Sequence, residues 1–133
     1  MVEYRDYNFA GKTMEFFVTH QTVEHYSGDC AVAFVFKDKA HQNKDLQQLL
    51  ELNRFDAIVG ATLMLSRVDG YKTKRLLVVG LGDSSLNEKS YMKVLNSLSS
   101  ALSDAKVKNV VIPDIQIDNR DESWILLTTA RVL

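Results

Sequence analysis

The chain has 133 residues, 46% of them hydrophobic and 25% charged, and a formal net charge of -1. That length and composition describe one folded domain, burying roughly two-thirds of its unfolded surface, and exclude the disordered and fibrous classes. The near-neutral balance gives no global attraction to nucleic acid or anionic lipid, the lone Cys30 excludes an internal disulfide, and no apolar run nears the ~20 residues that span a bilayer.

Met1 to Gly11 places Glu3, Arg5 and Asp6 among Tyr4, Tyr7 and Phe9, which is no secretory signal. With a single cysteine this points to a soluble, cytoplasmic protein, with no membrane partner. The same stretch reads either as a leader over residues 1–13 or as an extra edge strand, turned by Ala10-Gly11-Lys12 into the next one. Met14 to Val18 is strand-like, and the polar segment from His20 closes on a turn at Ser27-Gly28-Asp29. Cys30 to Phe36 is an uninterrupted apolar run, the mark of a strand covered on both faces.

Helical spacing follows at Leu46, Leu49, Leu50 and Asn53, with Asp45 as the expected N-cap and Gln48 closing a capping box. Ala61 to Arg67 reads as a strand with Leu63 and Leu65 on one face. Val68-Asp69-Gly70-Tyr71 is a turn whose Asp-Gly pair supplies positive φ. The strands on either side of it are expected to be antiparallel neighbours, which makes the sheet mixed.

Arg75 to Val79 then runs into Gly80-Leu81-Gly82-Asp83 and a long amphipathic helix with Tyr91, Val94, Leu95, Leu98, Leu102 and Ala105 at helical spacing. Asn87 is its expected N-cap, with Leu86 and Tyr91 stapling the first turn. Val110-Val111-Ile112 is a short strand closed by Pro113. Asn119, with Glu122, is expected to cap a last helix bearing Trp124, Leu127 and Ala130. That helix reaches Val132 and Leu133 without a stop signal, so the chain reads as the front piece of a longer protein.

No catalytic constellation emerges. His20, His25 and His41 form neither a helical pair nor a Cys/His cluster with metal-ligand spacing, so no metal site and no catalytic residue is assigned. Cys30 heads a buried strand with nothing to lower its pKa. The turn holding Gly80, Gly82, Asp83 and Ser84 has two readings. One is a phosphate cradle of free backbone N–H groups at a helix N-terminus; the other is a tight connection that lets strand and helix pack closely. It lacks the third glycine of a dinucleotide fingerprint and the Gly-Lys-Ser/Thr of a P-loop. Lys72, Lys74 and Arg75 make a small basic patch beside Tyr71, too little for a nucleic-acid partner at this net charge.

The ordered set Leu63-Met64-Leu65, Arg75 to Gly82 and Leu86-Asn87-Glu88-Lys89-Ser90-Tyr91, with Thr19, Gln21, the strand Cys30 to Phe36 and Trp124 around it, resembles the N-terminal domain of the leucyl (cytosol) aminopeptidases. The resemblance covers residues 14–133 and departs at Phe55 to Ala61, where only Phe55 and Gly60 match the family's glycine-rich segment. It implies an α/β fold, a three-layer α/β/α arrangement with a mixed, macro-domain-like sheet. It also implies that catalysis, with two divalent metal ions (zinc or manganese), belongs to a C-terminal domain absent from this chain. The expected partners are that catalytic domain and further copies of the protein, usually in a hexamer. The implied activity of the whole protein is removal of N-terminal residues from peptides. A free-standing macro-like module binding ADP-ribose or another nucleotide at Gly80 to Ser85 is the competing reading.

Overall fold

Cys30–Phe36 and Arg75–Gly82, the strands that carry the two longest uninterrupted apolar runs, lie side by side and parallel, Cys30 opposite Arg75 and Val35 opposite Gly80. The computed structural model describes residues 22–83 and 85–133 in full and the backbone of residues 2–8 and 12–18. The expected turn at Ala10-Gly11 and the residues Thr19, His20, Gln21 and Ser84 lie outside the described residues. In chain order the elements are β1 (Val2–Asn8), β2 (Lys12–Val18), a 3-10 turn (Val23–His25), β3 (Cys30–Phe36), α1 (Lys44–Leu52), β4 (Thr62–Ser66), β5 (Arg75–Gly82), α2 (Glu88–Asp104), β6 (Asn109–Ile112) and α3 (Glu122–Val132).

The sheet has six strands in the order β2-β1-β6-β3-β5-β4. The middle three, β6, β3 and β5, are parallel, and antiparallel strands flank them on both sides. The mixed sheet that the Asp-Gly turn implies is therefore present, with Leu63 opposite Val78 and Leu65 opposite Leu76. β1 sits between β2 and β6, so the outer edge on that side belongs to β2.

Alternation along the strands divides the interior into two layers. Cys30, Val32, Leu77, Val79, Val110 and Ile112 face α2 and α3, joining Tyr91, Val94, Leu95 and Leu98. Ala31, Ala33, Val35, Leu76, Val78 and Val111 face α1, joining Leu46 and Leu50. Because both faces are covered, the central strands read as continuous apolar sequence rather than alternating pattern. Each fully buried Leu or Val side chain contributes about 1.5–3 kcal/mol, and Val78, Val79, Leu76 and Val111 are all at 0% exposure.

Three local expectations are corrected. The N-cap of α1 is Asn43, whose side chain accepts from the Leu46 N–H at 3.1 Å, while Asp45 lies inside the first turn. Asn43 wins because its side-chain amide also donates to the Asp69 carbonyl at 2.9 Å, a tertiary bond that ties the helix start to the 68–71 turn. The cap of α3 is Asp121, accepting from the Trp124 N–H at 2.9 Å. Asn119 instead takes a left-handed turn (φ 62°) in the preceding loop. Last, Gly80 and Gly82 do not form a turn after the strand; they are its final residues. For α2 the sequence signal holds: Asn87 accepts from the Ser90 N–H at 2.8 Å, and Leu86 and Tyr91 are both buried.

Gly80 is required by close approach. A Cβ there would stand 2.3 Å from the Ile58 carbonyl oxygen and 2.7 Å from the Ala57 carbonyl carbon, both backbone atoms. Gly80→Ala is therefore expected to destabilise the protein by about 2–3 kcal/mol, read as a lower urea midpoint. Asn43→Ala should cost about 1–2 kcal/mol through the lost cap. Asn43→Asp should recover the cap while forfeiting the bond to Asp69.

Candidate functional site

In open α/β sheets, ligands are usually held outside the carboxyl ends of the parallel strands. Here that edge carries a cleft of about 530 Å³ whose walls include Phe36, Lys39, His41, Tyr71, Ser85 and Gln116. His41 is fixed by its neighbours. Its Nδ1 accepts from the Asn43 N–H at 3.0 Å, which leaves Nε2 to carry the proton of the neutral ring. Burial holds its pKa below the usual 6.5, against a weaker upward pull from Glu24. Burial, with Glu24 adding to it, pushes the Tyr71 hydroxyl up to about 12, so it stays protonated and can act as a hydrogen-bond donor. The Lys39 ammonium stands 5.0 Å from the centre of the Phe36 ring.

The residues singled out for an anion cradle are placed differently from a phosphate-binding turn. The Gly80 N–H donates to the Ala61 carbonyl and the Gly82 N–H to the Ala57 carbonyl, each at 2.8 Å. The Gly82 carbonyl accepts from the Lys37 N–H at 2.7 Å. These groups are committed to the backbone of the 57–61 segment and to the start of the loop after β3. Asp83 is exposed, and Ser84 lies outside the described residues.

The opposite edge, where β3, β5 and β6 begin, is built around Asp29. Its carboxylate receives the Arg75 guanidinium at 2.8 to 3.1 Å and the Lys108 N–H at 3.0 Å. Arg75 also donates to the Ala105 carbonyl at the end of α2, at 2.8 Å. Burial pushes the Asp29 pKa up, but the bonds from Arg75 and Lys108 and the charges of Arg75 and Lys74 outweigh it, so it lies below 3.8. Around this pair opens a cleft of about 650 Å³, bordered by Arg67, Lys72, Lys74, Arg75, Lys106 and Lys108. The sequence patch of Lys72, Lys74 and Arg75 is thus joined by three more cations. Those three were not legible in the chain, because they arrive from the β4–β5 and α2–β6 connections.

Cys30 is fully buried and its thiol is pushed up to about 11, chiefly by burial. Among the described residues, no three His, Cys, Asp or Glu side chains stand together as a metal-holding group. No helix among them is long and apolar enough to cross a membrane.

The family is decided by comparison. The model of the cytosol aminopeptidase family, N-terminal domain, matches residues 29–133. The chain belongs to the cytosol aminopeptidase family. A probable cytosol aminopeptidase of Vesicomyosocius okutanii subsp. Calyptogena okutanii (strain HA) is 34% identical over 120 residues, covering 90% of this chain and 25% of the relative. Its counterpart in Azoarcus sp. (strain BH72) is 39% identical over 97 residues, covering 71% of this chain and 19% of the relative. The chain spans about a quarter or less of the length of these curated relatives. Among solved structures, the macrodomain of Mycobacterium tuberculosis DarG superposes with a TM-score of 0.66 at 8% identity, covering 86% of each chain. A mutant tomato leucine aminopeptidase gives 0.54 at 22% identity, covering 86% of this chain and 25% of that one. The fold of this aminopeptidase-family domain is thus macro-domain-like.

The Asp29 carboxylate titrates lower in the folded state than in the unfolded one, so its stabilising contribution is present above pH 3.8 and is lost as pH falls through the depressed value. Asp29→Asn should lower the urea midpoint at neutral pH and flatten its decline in that acid window. For His41 the sign is the same, in a higher pH window and with burial rather than pairing as the cause. Its folded value is depressed below 6.5, so the neutral ring should persist at pH 6.5 in an NMR titration, with stability falling as pH drops further.

Proposed function

We propose that this domain is the non-catalytic N-terminal part of a cytoplasmic metallo-aminopeptidase that removes N-terminal residues from peptides, and that it serves subunit assembly. The match to the family's N-terminal domain over residues 29–133 carries this reading. It is supported by the share of the relatives that the chain covers, 25% in the first. The rest of such a protein would hold the catalytic machinery and its two divalent ions. The work left to the domain is contact: with its own catalytic part, and with other copies in a homo-oligomer of the hexameric kind.

A nucleotide-binding module is the reading it displaces. The likeness to a macrodomain at 8% identity is one of fold, and the Gly80 and Gly82 amides are already bonded within the chain.

Sedimentation of the complete gene product, with and without this domain, tests the assembly role. Oligomers are expected only when the domain is present. A complete protein that sediments as a monomer, or a truncated one that assembles normally, overturns the reading. In parallel, calorimetric titration of the domain with ADP-ribose should show no saturable heat beyond what tripolyphosphate abolishes by competition, since the Gly80 and Gly82 amides are not free to bind it.

A further inference from the structure

We propose that the cleft at the amino-terminal edge of the parallel strands binds a small, phosphate-rich anion of the oligophosphate class. Six cationic side chains, Arg67, Lys72, Lys74, Arg75, Lys106 and Lys108, border it against one carboxylate, Asp29. That carboxylate is already occupied by Arg75 and the Lys108 N–H. Among the described residues, none of the other five cations has an ion-pair partner. In a chain of net charge -1, this is strong segregation of charge. Like charges gathered at a concave surface repel one another and focus their field on the cleft, a cost that a multivalent anion relieves.

Two of the cations stand where the backbone would ordinarily favour glycine or asparagine. Arg67 has φ 48° and Lys106 has φ 54°, the left-handed region that costs a side-chain-bearing residue free energy. Both positions lie at the ends of elements bordering the cleft, and both are occupied by long basic side chains.

The chemistry favours small phosphates over nucleic acid or carboxylates. Single-stranded nucleic acid is held by exposed aromatic rings on which bases stack. Among the described residues no aromatic ring lines this cleft; Tyr26, packed against Gly28, is 7% exposed, and its hydroxyl is bonded to Asn109. A free guanidinium fork matches carboxylate and phosphate alike, so the choice between them falls to charge density, which is highest in a phosphate chain. The Arg75 fork is spent on Asp29 and the Ala105 carbonyl, which leaves four lysines and Arg67. Lysine ammoniums act as point charges suited to the tetrahedral oxygens of phosphate. At about 650 Å³ the cleft is of small-ligand size.

The test is calorimetric titration of the whole chain with inorganic tripolyphosphate, at about 50 and about 200 mM salt. Saturable binding is expected, weakening about tenfold or more at the higher salt. A further loss of at least about tenfold is expected in the double variants Lys74→Gln/Lys106→Asn and Lys72→Gln/Lys74→Gln, each checked for native circular dichroism. Lys89→Gln, on the first turn of α2 at the other edge, should bind as the unaltered protein does. Equal affinity for adenosine triphosphate would assign recognition to the phosphate chain alone, and tighter binding of the nucleotide would add a base contact; both support the site. It is overturned by no saturable heat at low salt, by undiminished binding in both double variants, or by citrate binding as tightly as tripolyphosphate. Displacement of tripolyphosphate by duplex DNA at lower phosphate concentration would also overturn it, in favour of a nucleic-acid surface.

Discussion

One carboxylate holds the starts of the parallel strands in place. Asp29 stands at the head of β3 and takes the guanidinium of Arg75, the first residue of β5, together with the backbone N–H of Lys108, next to β6. Through Arg75 it also reaches the last turn of α2 at Ala105. The Asn109 side chain extends the clasp, its Oδ1 accepting from the Asp29 N–H at 2.8 Å and from the Tyr26 hydroxyl at 3.1 Å. Gly28 has no room for a side chain because these two groups press against it, the Asn109 Oδ1 standing 2.4 Å from where a Cβ would be. Parallel strands are joined only through long crossovers, so a polar clasp between their starts fixes a register that no short turn could fix. The Arg75 and Asp29 side chains keep 26% and 19% of their surface in water, and for Asp29 the bonds and charges outweigh the desolvation.

At the other edge the constraint is steric. The 57–61 segment lies against Gly80 and Gly82 so closely that backbone meets backbone, extending the β4–β5 ladder by the bonds of Gly80 with Gly60 and Ala61. The segment cannot pull back without breaking the bonds that it makes to the end of β5. The likeness to a macrodomain and to a leucine aminopeptidase at low identity follows from this shared frame of mixed sheet and two helical layers.

Much of the frame was legible. Cys30 to Phe36 and Arg75 to Val79 announced buried parallel strands because apolar residues fill both faces, and Asp69-Gly70 announced the antiparallel partner. Asn87 was readable as a cap because the only groups it needs are three residues away. Asn43 was not, since its advantage over Asp45 rests on the Asp69 carbonyl, reached only in the folded chain. Gly80 and Gly82 look the same in sequence whether the backbone turns or another backbone draws near, and only the structure tells these apart. In α3 the expected apolar face is partly reversed: Leu127 is 65% exposed, while Thr128 and Thr129 are buried. The reason is the bonding of the Thr129 hydroxyl to the Tyr91 hydroxyl and the Ile125 carbonyl, which makes a polar side chain acceptable inside. The basic cleft was only half visible, because its cations are contiguous in space but come from separate connections.

The seating of β1 has a consequence for how the molecule is made. Val2 pairs with Ile112 and Tyr4 with Val110, so β1 closes onto a strand that follows it only after β2 to β5 and two helices. Loop closure over that span is entropically slow. β1 and β2 can meet each other early, as neighbours along the chain, but their attachment to the sheet must wait until almost the whole domain has emerged. The pair β1–β2 forms locally and is among the last parts of the domain to be secured.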